Sequence, residues 1–181
     1  MWIGHLRSPN EITILETLSL KPKVFEIKNF LKPEESASIV KHSKTRVAKS
    51  DVALKDADKG ITRGSYPALY LTHLFLAGKA ATEWRTSSTY FLNANHFVEM
   101  QEVERRVQKM AKVPINQTED AQVLRYNNGE HYHAHHDFFD PKDYANDPYW
   151  SKLAAGGARN RMATVFMYLS DVSQGSDPPI G

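Results

Sequence analysis

Four of the chain's eight histidines fall within six residues, His131-Tyr132-His133-Ala134-His135-His136, and Asp137 follows at once. Neutral imidazole and carboxylate suit a divalent transition metal, iron(II) included. His135 and Asp137 are two positions apart, so on a β-strand both side chains leave by the same face. His-x-Asp is two thirds of the facial triad of two histidines and one carboxylate that leaves coordination positions open on ferrous iron. His131 and His133 would share that face. Neighbours on one side of a strand stand about 6.5–7 Å apart, so three ligands from one strand need a bulge to close on one ion. The third ligand is therefore expected from elsewhere in the chain, with His131, His133 and His136 solvated or lining a groove.

The elements that must hold this segment read as follows. Val24-Phe25-Glu26-Ile27 alternates and predicts a short strand. Pro33, then Glu34 and Glu35, predicts a helix start with acids at the positive end of the dipole, running to about Lys44. Asn95 is the expected cap of a second helix whose apolar positions are Phe97, Met100, Val103, Val107 and Met110, stopping near Pro114. From Gln122 the period becomes strand-like. Residues 122–126, a turn at Asn127-Asn128-Gly129 and the histidine segment predict a hairpin. Residues 140–157 form a long loop, and 162–169, nearly all apolar, predict a central strand covered on both faces. Helices and an early strand followed by consecutive strands imply an α+β class with helices packed on an all-β sandwich.

At 181 residues the chain has the size of one domain. With 41% hydrophobic and 24% charged residues and a formal charge of +2, it is neither a disordered tail nor a strongly basic nucleic-acid binder. The absence of cysteine excludes disulfides and thiolate metal sites. No apolar signal region opens the chain, and the longest apolar run, about ten residues, is too short to span a bilayer. The expectation is a soluble chain.

Five blocks in order resemble the prolyl 4-hydroxylase family of iron(II)- and 2-oxoglutarate-dependent dioxygenases. They are Phe30-Leu31-Lys32-Pro33-Glu34-Glu35, Arg85-Thr86-Ser87-Ser88-Thr89-Tyr90-Phe91-Leu92, Gln122-Val123-Leu124-Arg125-Tyr126, Tyr132-His133-Ala134-His135-His136-Asp137-Phe138-Phe139, and the stretch from Arg161 through Val172. The resemblance covers residues 22–175, and it implies a partial double-stranded β-helix (jelly roll) with packing helices. It implies 4-hydroxylation of proline in peptide substrates with Fe(II), 2-oxoglutarate, oxygen and L-ascorbate, the last to rescue over-oxidised iron. By this correspondence His135 and Asp137 fall on iron ligands, and Tyr126 on a tyrosine that helps hold the distal carboxylate of 2-oxoglutarate. Tyr132 falls on an aromatic of the peptide groove and Arg161 on an arginine associated with peptide binding. The family works mostly in the endoplasmic reticulum, often behind a membrane anchor.

Two stretches depart from the family. Residues 61–78 form an apolar insert, and 176–181 stand where relatives continue toward the second iron histidine and a basic residue for 2-oxoglutarate. Both are read as translated intron sequence. The chain as written is accordingly expected to be inactive, either a truncated isoform or a module that binds peptide or a partner subunit.

Overall fold

The computed structural model describes residues 2–4, 13–53, 55, 84–146 and 160–171. The insert at 61–78 and the tail at 176–181 lie outside the described residues. The chain separates into two compact units. The first comprises residues 1–48, 89–124 and 165–181, and the second 49–88 and 125–164. Among the described residues are two α-helices and two small three-stranded sheets, a mixed architecture in which a closed jelly roll is not visible.

In the first unit, β1 (Trp2–Gly4), β2 (Thr13–Leu20) and β3 (Lys23–Ile27) form an antiparallel sheet in that order. The strand expected at 24–27 is thus present, one residue longer. Helix α1 (Pro33–Ser43) starts at the expected proline. Glu35 accepts a hydrogen bond from the Lys32 backbone N–H (2.8 Å), which satisfies one orphan donor of the first turn. The reciprocal half of a capping box is impossible, because a lysine side chain has no acceptor.

Helix α2 (Val98–Ala111) keeps the predicted apolar face, with Met100 and Val103 buried. Its start corrects the expected cap. Asn93, not Asn95, supplies the capping oxygen, accepting from the Asn95 N–H (2.9 Å) and capping a 3₁₀ turn at Ala94–His96 that leads into the helix. Lys112, at φ 59°, ends the helix in a left-handed conformation two residues before Pro114.

The core of this unit gathers Ile39, Leu92, Ala94, Met100 and Val103, with Met167 and Leu169 packed against them. The segment 162–169 corrects a second expectation. It carries no strand pairing, and only one side is covered: Met167 and Leu169 face the core while Phe166 and Tyr168 are exposed. Apolar content alone predicts burial on both faces, but a strand needs a ladder partner, and none is present among the described residues.

Arg106 lies on the same helical face as Val103 and is only 1% exposed. Its guanidinium meets the Glu35 carboxylate through two parallel 2.8 Å hydrogen bonds, tying α2 to the first turn of α1. The second sheet has the order β4 (Ala48–Lys49), β5 (Ser88–Leu92), β6 (Ala121–Arg125). After β6 the chain turns where expected. Gly129 has φ +83°, the Glu130 N–H reaches the Asn127 carbonyl (3.0 Å), and the Glu130 carboxylate accepts from the Asn127 N–H (2.7 Å). No helix among the described residues is long and apolar enough to cross a membrane.

Removing one partner of a buried bidentate pair strands the other charge. Arg106→Met is expected to lower stability by about 3–5 kcal/mol in urea unfolding. The double change Glu35→Leu/Arg106→Met is expected to cost less than the sum of the two single changes. The two hydrogen bonds from Asn127, backbone first, hold the Glu130 carboxyl below its usual range. A depressed carboxylate stabilises its turn above the unfolded pKa, and that contribution is lost as pH falls through the folded one. In an NMR titration Glu130 is expected to have its midpoint below an ordinary glutamate, with the Asn127 amide following the same curve and Glu130→Gln abolishing it.

Candidate metal-binding site

Every residue of this site belongs to the second unit. The hairpin prediction is corrected here. The histidine segment pairs with residues 84–86 by an antiparallel bridge between Arg85 and Tyr132. The Thr86 N–H donates to the His131 carbonyl (3.0 Å) and the His133 N–H to the Trp84 carbonyl (2.9 Å). Beyond His133 the ladder stops and residues 133–136 have no regular structure. The His133 carbonyl turns instead to the side chain two residues on, accepting from His135 Nδ1 at 2.7 Å. A carbonyl can only accept, so Nδ1 carries hydrogen and Nε2 is the ring nitrogen whose lone pair a metal could take.

That Nε2 lies 3.3 Å from Asp137 Oδ1. Two donors at adjacent positions on an octahedral ion, each about 2.1 Å from it, are about 3.0 Å apart. The pair therefore fits adjacent coordination positions with a movement of a few tenths of an ångström. The Asp137 carboxylate is steadied from its other side by the Thr164 hydroxyl, which donates to Oδ2, and Arg161 Nη1 stands 3.9 Å from Oδ1. The hydrogen bond from His135 is the largest influence holding the Asp137 carboxyl down to about 2, against burial; Thr164 and Arg161 add to it. The same bond, with help from the His133 carbonyl, raises the His135 imidazole. Both nitrogens of that ring face acceptors, so a cation at Nε2 would replace a proton.

Two features fix the surrounding backbone. The Asn160 side chain clamps Phe139, accepting from its N–H (2.9 Å) and donating to its carbonyl (2.7 Å), which holds 160–161 beside 139. Ser87, fully buried, accepts from Arg85 Nε (2.9 Å) and shares a hydrogen bond with Ser50 Oγ (3.0 Å), while the Ser50 N–H donates to the Ser87 carbonyl (2.9 Å). Arg85, 5% exposed, also donates through Nη1 to the Asp51 carbonyl (3.2 Å).

The structure thus brings together His135, Asp137, Arg161 and Tyr132, the last stacked on His135 with ring centroids 3.9 Å apart. Burial raises the Tyr132 phenol, and the nearby Asp137 carboxylate and Tyr126 phenol act in the same direction. Tyr126 itself is exposed just past β6. His133 packs edge-on to Trp84 (5.7 Å) and tilted on His131 (4.7 Å). Among the described residues no group of three or more His, Cys, Asp or Glu forms a complete ligand set. Thr164 and Asn160 escaped sequence reasoning because neither has a pattern around it; Arg85 stood there only within a block of family resemblance.

No family model matches the chain. Among curated proteins it is similar to probable prolyl 4-hydroxylase 8 of Arabidopsis thaliana, at 33% identity over 163 residues, covering 90% of this chain and 46% of that protein. It is also similar to prolyl 4-hydroxylase 5 of the same plant, at 31% over 163 residues (90% and 46%), and to prolyl 4-hydroxylase 2, at 29% over 175 residues (95% and 49%). The chain spans about half the length of the curated relatives it matches.

Ser87→Ala deprives both Arg85 Nε and Ser50 Oγ of a buried partner. It is expected to lower stability by about 1–3 kcal/mol, read as a shift in the urea midpoint without a change in slope.

Proposed function

The chain belongs to the prolyl 4-hydroxylase family, and from that premise we propose that it carries part of an iron(II)- and 2-oxoglutarate-dependent site for 4-hydroxylation of proline in peptides. The observation that carries this reading is the spacing of His135 Nε2 and Asp137 Oδ1, with Nδ1 committed to a backbone carbonyl. In this reading His135 and Asp137 hold iron(II), which would supply oxygen activation coupled to oxidation of 2-oxoglutarate. A third ligand comes from outside the described residues.

The chain's own residues do the rest. The His133 carbonyl keeps His135 in the ligating tautomer, and Thr164 and Arg161 orient and neutralise the Asp137 carboxylate. Tyr126, exposed after β6, is positioned in sequence to donate its hydroxyl to the distal carboxylate of 2-oxoglutarate. Tyr132 and Arg161 border the peptide, where an aromatic surface suits a proline ring that lacks a polar handle. The wider proposal includes a jelly-roll domain in the full protein, L-ascorbate as reductant and residence in the endoplasmic reticulum. A second reading, a silent peptide- or subunit-binding module, is favoured by the two-donor set among the described residues.

Titration of the protein with Fe(II) under anaerobic conditions is expected to show binding that Asp137→Ala weakens by at least an order of magnitude, in line with loss of a ligand. Succinate release from 2-oxoglutarate in the presence of a proline-rich peptide, abolished by His135→Ala, supports the hydroxylase. Iron and peptide binding without succinate favours the silent module. No iron binding in the unmutated chain overturns the site.

A further inference from the structure

The imidazole of His135 is held by a second contact that the proposed chemistry does not use. The Tyr132 ring lies stacked on it, centroids 3.9 Å apart and planes inclined by 26°. The guanidinium carbon of Arg85 stands 4.6 Å from the centre of the same Tyr132 ring. Arg85 and Tyr132 are bridge partners on neighbouring extended segments, which is why their side chains meet. Arg85 is in turn immobilised, buried and hydrogen-bonded to Ser87 Oγ and the Asp51 carbonyl.

We infer that Arg85 and Tyr132 are positioning residues that set the plane of the His135 ring; the inference rests on the proposed role of His135 as a metal ligand. The hydrogen bond from Nδ1 and the contact of Nε2 with Asp137 fix two points of the imidazole but leave the ring free to turn about the line through them. Stacking on a second ring removes that freedom and aims the Nε2 lone pair. A phenol ring on an irregular segment would be a loose support by itself. A planar guanidinium fastened by two hydrogen bonds gives it a fixed backing, which the single mobile ammonium of lysine does not. Neither residue supplies a ligand atom, yet both govern metal affinity through ring orientation.

The test follows the His135 imidazole C–H resonances of the full chain by NMR, with Co(II) as the probe ion. In the unmutated protein these resonances are expected to be shifted upfield by the Tyr132 ring and broadened by Co(II). Tyr132→Phe is expected to retain both the shift and the affinity. Tyr132→Leu is expected to abolish the shift and weaken Co(II) binding about 10–100-fold, the effect found for outer-shell partners elsewhere. Should the leucine variant lose its dispersed amide spectrum, Arg85→Lys carries the test, since Tyr132 remains and a fall in Co(II) affinity with a reduced shift is still expected. A Tyr132→Leu protein, or an Arg85→Lys protein, with the unmutated shift and affinity overturns the positioning role alone. Co(II) that leaves the His135 resonances of the unmutated chain untouched overturns the metal role, and this inference with it.

Discussion

A carboxylate oxygen and an imidazole nitrogen 3.3 Å apart attract one another only when a proton or a cation lies between them, and the side chains around His135 and Asp137 hold the two groups at that separation. The carboxylate favours the protonated form of the imidazole, which is why the basicity of His135 rises, and the same contact holds Asp137 down to about 2. The sign for each group is opposite. The stabilisation from Asp137 is present above its unfolded pKa and lost as pH falls through the lowered value. That from His135 is present below its unfolded pKa and lost as pH rises through the raised one. The pair holds together in the window between.

Four separate stretches of chain converge to keep that pair in place. Residues 131–137 provide the imidazole and the carboxylate. Residues 85–87 provide the bridge and the Arg85 support, 50–51 anchor them, and 160–164 supply the Asn160 clamp and the Thr164 hydroxyl. Of these contacts, those of Ser87 with Arg85 and Ser50 are buried and so intolerant of single losses, the Asn160 clamp is part-buried, and the Thr164–Asp137 hydrogen bond is exposed.

Legibility in the sequence followed the range of the interaction. Helix α1 began at Pro33, and α2 buried Met100 and Val103, because proline, acidic first turns and a 3.6-residue repeat act over a few residues. The Gly129 turn was equally local. The cap moved from Asn95 to Asn93 because a 3₁₀ turn intervenes, and sequence patterns do not separate a helix from a 3₁₀ lead-in. The burial of Arg106 was invisible: a charged residue on an apolar face reads as an exception until its partner, 71 positions away, is known. Likewise the pairing of Tyr132 with Arg85 requires knowing which segments lie side by side.

The histidine segment departs from the regular strand expected of it, and that departure is what makes the pair workable. On a continuing ladder the His133 carbonyl would be committed to a neighbouring strand, leaving His135 Nδ1 to find another acceptor and the ring's tautomer undetermined. Here the ladder takes the His133 N–H, bonded to Trp84, and releases its carbonyl to His135. One residue thus joins the segment to its scaffold through its donor and orients the His135 ring through its acceptor. The same break lets the His135 ring reach back over Tyr132 while Nε2 meets Asp137, a combination that a strand with alternate side chains held about 6.5–7 Å apart does not favour. Alternation in the sequence expects His135 and Asp137 on one side of a strand; in the structure the two side chains meet instead where the ladder has ended.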